Sequence, residues 1–441
     1  MLARVNRCAV SAALFLVAIA LVAGMAGCGS PLVEIHDWYD LDAVRDNLKG
    51  DYILMNDLDS TTPGYEELAG GNGNEGEGWL PIGTEDDAFA GSLDGQGYEI
   101  RDLIICCSGF SHVGVFGFVD EGGRIEDIGV GYAEVIGDEA AGGLVAVCYG
   151  TVIDCYSMAS VDGRDCVGGL VGENHGTVTD SYCSGTVSGE AVAGGLIGQN
   201  YGTVTDSYFT GSVSGEVGVG GLVGWNWNEG TVSNSHAMGT VICSAVVAGG
   251  LVGVNEGTVT NSCSAGGVTG DMEVGGLVGM NGWYMDGYSN PGTVTNSYCT
   301  GSVTGKHDVG GLVGGNGYES IVSDSYATGN VDGEREVGGL VGGNAGSVSD
   351  SYSTGNATGE ADVGGLVGAN YGTVSNCFWD TKTSGQTTSD GGTGKTATQM
   401  KNITTFSGAG WNIIPIDAPD DRNPSYIWNI VDAVTYPFLS W

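Results

Sequence analysis

From Gly168 the chain reads GGLVGENHGTVTDSYCSGTVSGEAV, and from Gly194 it reads GGLIGQNYGTVTDSYFTGSVSGEVGV. The leucine of each GGLxG core serves as a ruler, at Leu144, Leu170, Leu196, Leu222, Leu251, Leu277, Leu312, Leu340 and Leu366. The successive spacings are 26, 26, 26, 29, 26, 35, 28 and 26 residues. A fixed period of this size marks a solenoid, propeller or array. A propeller blade needs roughly 40–45 residues, and a leucine-rich repeat needs several leucines per unit, so neither fits. Gly-rich disorder normally lacks a period.

Each unit repeats three short apolar pieces, such as GLVG, TVTDSY and TVSG, bounded by Gly, Asn or Asp. Val and Thr favour a pleated surface, and Gly, Asn and Asp supply corners. The pattern predicts three strands per turn of an all-β, parallel β-solenoid (β-helix) with ~26-residue rungs. Rungs would stack at about 4.7–4.9 Å. Four residues after the ruler stands a column of Asn174, Asn200, Asn226, Asn255, Asn281, Asn316, Asn344 and Asn370, broken in the first rung by Cys148. These amides suit a ladder along the axis. A second column runs Asp154, Asp180, Asp206, Asn234, Asn261, Asn296, Asp324, Asp350 and Asn376. Two residues later come Tyr156, Tyr182, Tyr208, His236, Cys263, Tyr298, Tyr326, Tyr352 and Phe378, read most simply as rings stacked in the core.

The GGLVGxNxGTVxxSY unit resembles the GLUG motif, and the resemblance covers roughly Trp38 to the end. Phe89–Tyr98 matches the FxGxxDGxGY piece that commonly precedes GLUG arrays. GLUG repeats occur in bacterial and archaeal surface proteins and beside the N-terminal region of some IgA1-cleaving metallopeptidases. The resemblance therefore implies surface exposure with adhesion or binding, and does not by itself imply catalysis.

At 441 residues, length alone suggests two or three domains, but the repeat replaces them with one long unit. The formal net charge is −40, from 53 acidic and 13 basic side chains. With no basic footprint, nucleic acid is excluded as a partner. The acids would solvate a long solenoid and oppose aggregation. Residues 1–27 read as an export signal, with Arg4 and Arg7 before an apolar run too short to span a membrane comfortably. Met25-Ala26-Gly27-Cys28 resembles a bacterial lipobox, with Met25 where leucine is usual, and makes Cys28 the lipid-attachment residue. Contact with the membrane is then through the lipid anchor only, at the outward face of the cell envelope.

Residues 28–36 read as an anchor linker, 37–140 as an N-terminal cap and irregular first rungs, 141–380 as the array, and 381–441 as a C-terminal loop and cap. Leu41, Val44 and Leu48 recur at helical spacing, which predicts a short capping helix. Thr381–Thr398 reads as a loop, and Trp411, Trp428, Tyr436, Phe438 and Trp441 as an aromatic seal on the last rung. Three insertions fall near the Asn corner and would gather Trp225, Trp227, Trp283, Tyr284, Tyr288 and Tyr318 on one edge. Such rings offer apolar faces with polar tips, suited to sugars.

Other chemistry finds little support. Asp390–Thr396 imitates a phosphate loop, but Ser389 stands where glycine is required. No HExxH or CxxC occurs, so no metal-ligand or catalytic constellation emerges. Between residues 141 and 380 only Arg164, Lys306 and Arg335 are basic, which disfavours a polysaccharide lyase. Asp180 and Asp206, one rung apart, meet the separation of a retaining glycosidase, but so does any stacked pair. Calcium at acidic corners rests on charge alone, without a motif. Cys183 and Cys299, four rungs apart, are too distant for a disulfide. The expectation is a surface repeat protein that binds a glycan or surface protein through its aromatic edge. The alternatives are a structural spacer or, less favoured, a carbohydrate-active enzyme.

Overall fold

The computed structural model describes residues 31–106, 111–285 and 288–441, with the backbone alone over 283–285 and 288–289. The expected export signal and Cys28 lie outside the described residues. The chain winds as a parallel β-solenoid, and each turn has five short strands rather than three. In one turn sheet 1 takes Val171–Asn174, sheet 2 Thr177–Thr179, sheet 3 Tyr182–Cys183, sheet 4 Thr186–Gly189 and sheet 5 Val192–Gly194. Like pairs with like in the next turn: Val171 with Ile197, Val178 with Val204, and Tyr182 with Tyr208. All nine ruler leucines are fully buried along one axis, with Val178, Val187 and their equivalents beside them.

The repeated residues follow from the corners. The Asp/Asn column sits at the turn between sheets 2 and 3 with φ of 49–53° in all nine positions from Asp154 to Asn376. Asp and Asn tolerate this left-handed conformation better than other residues with a side chain. After seven of the nine corners stands a buried serine, whose hydroxyl accepts the N–H of the equivalent residue one turn earlier at 3.1–3.2 Å. The GG pair turns sheet 5 into sheet 1, where a Cβ on Gly194 would lie 1.8 Å from the Ile197 carbonyl oxygen.

The Asn column forms a continuous amide ladder. Each Nδ2 donates to the next Oδ1 at 2.7–2.9 Å, from Asn174 to Asn370. The tyrosine column differs from the core reading. Its rings stand on the outer face of sheet 3, and the inward position of that sheet goes to Cys183, Phe209, Ala237 and Cys299. The nine cysteines among the described residues are free.

From Met272 onward sheet 5 carries a bulge. Val247 pairs with Met272 but Ala248 with Val274, so Glu273 is the extra residue. Asp308, Glu336 and Asp362 repeat it, all with positive φ. A Cβ on Gly343 would stand 2.3 Å from Asp308 Oδ1, so the neighbouring glycine makes room for that carboxylate. Burial pushes Asp308 up to about 8, helped by its hydrogen bond with Glu336 and by the charges of Glu336 and Glu273.

The N-terminal end is covered by a helix at Trp38–Asp42 and a 3₁₀ turn at Ala43–Asp46, which bury Trp38, Leu41 and Val44. Asp37 caps the helix by accepting the Asp40 N–H at 3.0 Å. The C-terminal end departs from the expected seal. The segment after Asp380 closes the last turn: Gly365 N–H donates to Thr388 O, and Ser389 Oγ accepts the Val367 N–H. The aromatic tail instead folds against the outer face of sheet 3 around a three-stranded sheet of Ile413–Pro415, Trp428–Ile430 and Phe438–Leu439.

Asn255→Ala in mid-ladder orphans a buried donor and a buried acceptor, each worth about 1–3 kcal/mol. Asn370→Ala, at the ladder's end, removes the acceptor of the Asn344 Nδ2–H and of the part-buried Gly372 N–H and orphans no ladder acceptor. Denaturant melts should show the larger loss for Asn255→Ala. For Asp308, the folded-state pKa lies above the ordinary 3.8, so the folded state binds the extra proton. Its effect on stability therefore falls as pH rises from about 4 to about 8. Asp308→Asn should raise the melting temperature more at pH 8 than at pH 5; an equal rise at both would show that Asp308 titrates normally.

Candidate functional site

The position five residues after the ruler leucine lies at the corner between sheets 1 and 2. In four successive turns it is a ring: Tyr149, His175, Tyr201 and Trp227. Their centroids are 4.5, 4.5 and 5.4 Å apart and their planes lie within 13° of parallel. Trp225 joins from sheet 1, stacked on Trp227 at 4.8 Å. Beside the rings the outer face of sheet 1 presents Glu173, Gln199 and Trp225 in register.

This neighbouring row fixes the rings in place. Gln199 Oε1 accepts the Tyr201 hydroxyl at 2.9 Å and the Trp227 Nε1–H at 3.0 Å. His175 Nε2 lies 3.4 Å from Glu173 Oε2. That hydrogen bond holds the Glu173 carboxyl below its usual range despite partial burial, which acts the other way. One turn beyond Trp227 the corner residue is Glu256, only 3% exposed. Burial raises its pKa, against hydrogen bonds from Asn290 and Trp225. Asn290 Nδ2 donates to Glu256 Oε2 at 2.9 Å.

Asn290 belongs to a hairpin of Trp283–Met285 and Tyr288–Asn290. This hairpin carries the insertion's Trp283, Tyr284 and Tyr288, whose side chains lie outside the described residues. Tyr318, 58% exposed, follows Asn316 at the same corner. Of the six expected residues, the structure thus brings Trp225 and Trp227 into one stack and puts the hairpin backbone beside their neighbour Glu256. The sequence reading missed Tyr149, His175, Tyr201, Gln199 and Glu173. The signal was present, since a ring occupies the position five residues after the ruler leucine in four consecutive turns. The ring faces are also less available than expected. They cover one another, and Gln199 and Glu173 engage the Tyr201 hydroxyl, the Trp227 Nε1–H and the His175 Nε2, so the stack turns mainly ring edges toward solvent.

The corner carboxylates considered for hydrolysis take a structural place. Asp180 and Asp206 occupy the left-handed turn, and each Oδ2 accepts the hydroxyl of the preceding threonine at 3.0 Å. Among the described residues no group of three or more His, Cys, Asp or Glu is placed to hold a metal ion.

A family model described as the GLUG motif matches residues 189–214, 215–242, 305–332 and 333–358. Over 141 residues the chain is 33% identical to halomucin of Haloquadratum walsbyi, an overlap of 30% of this chain and 2% of that protein. Over 120 residues it is 35% identical to a Gly-rich membrane protein of Evansella cellulosilytica, covering 25% of this chain and 13% of that one. The chain therefore spans a small part of either relative. The structure of an IgA1 protease is similar with a TM-score of 0.42 at 17% identity, over 67% of this chain and 21% of that one. Every matched unit is one in which the ruler leucine, ladder asparagine and corner residue recur in the solenoid, so the chain carries GLUG-motif repeats over those turns.

Proposed function

We propose that the chain is an exported surface protein, anchored by lipid at Cys28, that binds an extended glycan along the corner between sheets 1 and 2. The observation that carries this reading is the pairing of two outward columns. Tyr149, His175, Tyr201 and Trp227 present ring edges once per turn, and in the two middle turns Glu173 and Gln199 add polar groups beside them. A repeating surface suits a repeating ligand, because each turn adds one small contact of the same kind. Few fixed polar groups beside aromatic area is the usual composition of a sugar site. Support for surface placement comes from the leader sequence and from relatives named halomucin and a membrane protein. Among the described residues no helix is long and apolar enough to cross a membrane.

The spacer reading draws on one specific observation, that the ring faces are spent on each other. A glycan and matrix-protein array separates the two. Trp227→Ala combined with Gln199→Ala should weaken retention of the bound glycan about tenfold, or about 1.4 kcal/mol. Retention unchanged by both substitutions, or no ligand retained at all, would leave the spacer.

A further inference from the structure

The tyrosine column on the outer face of sheet 3 is covered over only half its length. Three tryptophans of the C-terminal tail lie on it; each contacts a ring and donates its indole N–H to the corner residue two positions before that ring, through the backbone carbonyl in two cases and the side chain in one. Trp441 sits over Tyr298 at 5.5 Å and donates its indole N–H to the Asn296 carbonyl at 3.0 Å. Trp428 sits over Tyr326 at 6.0 Å and donates to Asp324 Oδ1 at 3.3 Å. Trp411 sits over Phe378 at 6.0 Å and donates to the Asn376 carbonyl at 2.8 Å. The unit of recognition is thus one left-handed corner residue plus the ring two positions later, and an indole satisfies both.

The same unit recurs uncovered in four earlier turns: Asp154 with Tyr156, Asp180 with Tyr182, Asp206 with Tyr208, and Asn234 with His236. These rings stack at 4.8–5.1 Å with planes within 7° of parallel, so the track is as regular as the covered half. All four corner residues are exposed, whereas Asn296 and Asp324 beneath the tail are half-buried. Cys263 interrupts the rings where the covering ends. A cavity of about 320 Å³ opens at that boundary, lined by Asn261, Asn296, Tyr426 and Trp441 among others.

We infer that the uncovered track from Tyr156 to His236 is a docking site for a polypeptide partner that presents tryptophan next to basic residues. The indole is specified by the chain's own tail, which continues the same surface and shows which side chain it accepts. The basic flank is specified by charge. Three of the four open corners are aspartates, on a protein of net charge −40. Indole edges tilted onto tyrosine rings gain aromatic contact, and the N–H finds an acceptor held by the fold. This site lies on a different sheet from the glycan corner and does not depend on it.

The test uses the whole protein and the peptide acetyl-Lys-Trp-Lys-amide, read by saturation-transfer NMR and titration. The tryptophan peptide should bind at least severalfold more tightly than its phenylalanine analogue, which lacks the N–H. Tyr182→Ala with Tyr208→Ala should weaken it about tenfold, and Trp227→Ala should leave it unchanged. Should the tyrosine variant melt early, Asp180→Asn with Asp206→Asn decides, because asparagine keeps the corner and removes the charge. That variant should weaken binding severalfold and reduce its salt dependence. Equal binding of both peptides, or affinity indifferent to both double variants, would overturn the proposal. So would loss of glycan rather than peptide binding in the tyrosine variant, which would assign the track to sugars.

Discussion

Parallel backbone pairing between successive turns is the constraint on which the rest of the molecule depends. Each strand is only two to four residues long and holds nothing by itself. A turn exists because the turns on either side satisfy its N–H and C=O groups at about 4.7–4.9 Å. At that distance every position meets its own equivalent twice, so a side chain is tolerated only if it packs or bonds well with copies of itself. Leucine and valine do so in the interior. Asparagine and serine do so because each is donor and acceptor at once, and their columns close their own hydrogen bonds. Acids do so poorly. In the Glu273, Asp308 and Glu336 column, Gly343 leaves room for Asp308, and burial beside its acidic neighbours raises the Asp308 pKa.

Columns of buried or strained residues were legible in the sequence because their chemistry is restrictive. The leucine ruler, the asparagine ladder and the Asp/Asn corner could each be read by counting. Inside and outside could not. A strand of two residues, such as Tyr182–Cys183, has no alternation to measure, and the larger apolar ring was given the interior that Cys183 occupies. The serine ladder was overlooked because serine after a corner also reads as ordinary turn chemistry.

The bulge was hidden for a different reason. Val187 to Leu196 and Val268 to Leu277 span the same number of residues, so the ruler does not register it. Sheet 4 shortens from Thr186–Gly189 to Val268–Thr269, and sheet 5 lengthens from Val192–Gly194 to Met272–Gly275. One residue has passed around a corner at constant period. The C-terminal tail was illegible for lack of any period. Its tryptophans are aimed at a column that the sequence reading had already placed in the core, so the tail had no surface left to cover except the end.

Two outward ring columns now stand on different sheets, and their differences bear on function. The Tyr149–Trp227 column is bonded along its side by Gln199 and Glu173, so its polar atoms are partly spent within the chain. The Tyr156–His236 column has Glu99 on the Tyr156 hydroxyl, and its corner carboxylates face solvent. Sites built from columns inherit the solenoid's period. Their strength comes from the number of turns engaged rather than from any single residue. A ligand matched to one turn alone would be held weakly, and a ligand that repeats, or an extended chain lying along the axis, would gain with every turn it covers. The solenoid thereby converts a repeat needed for folding into a repeat available for binding.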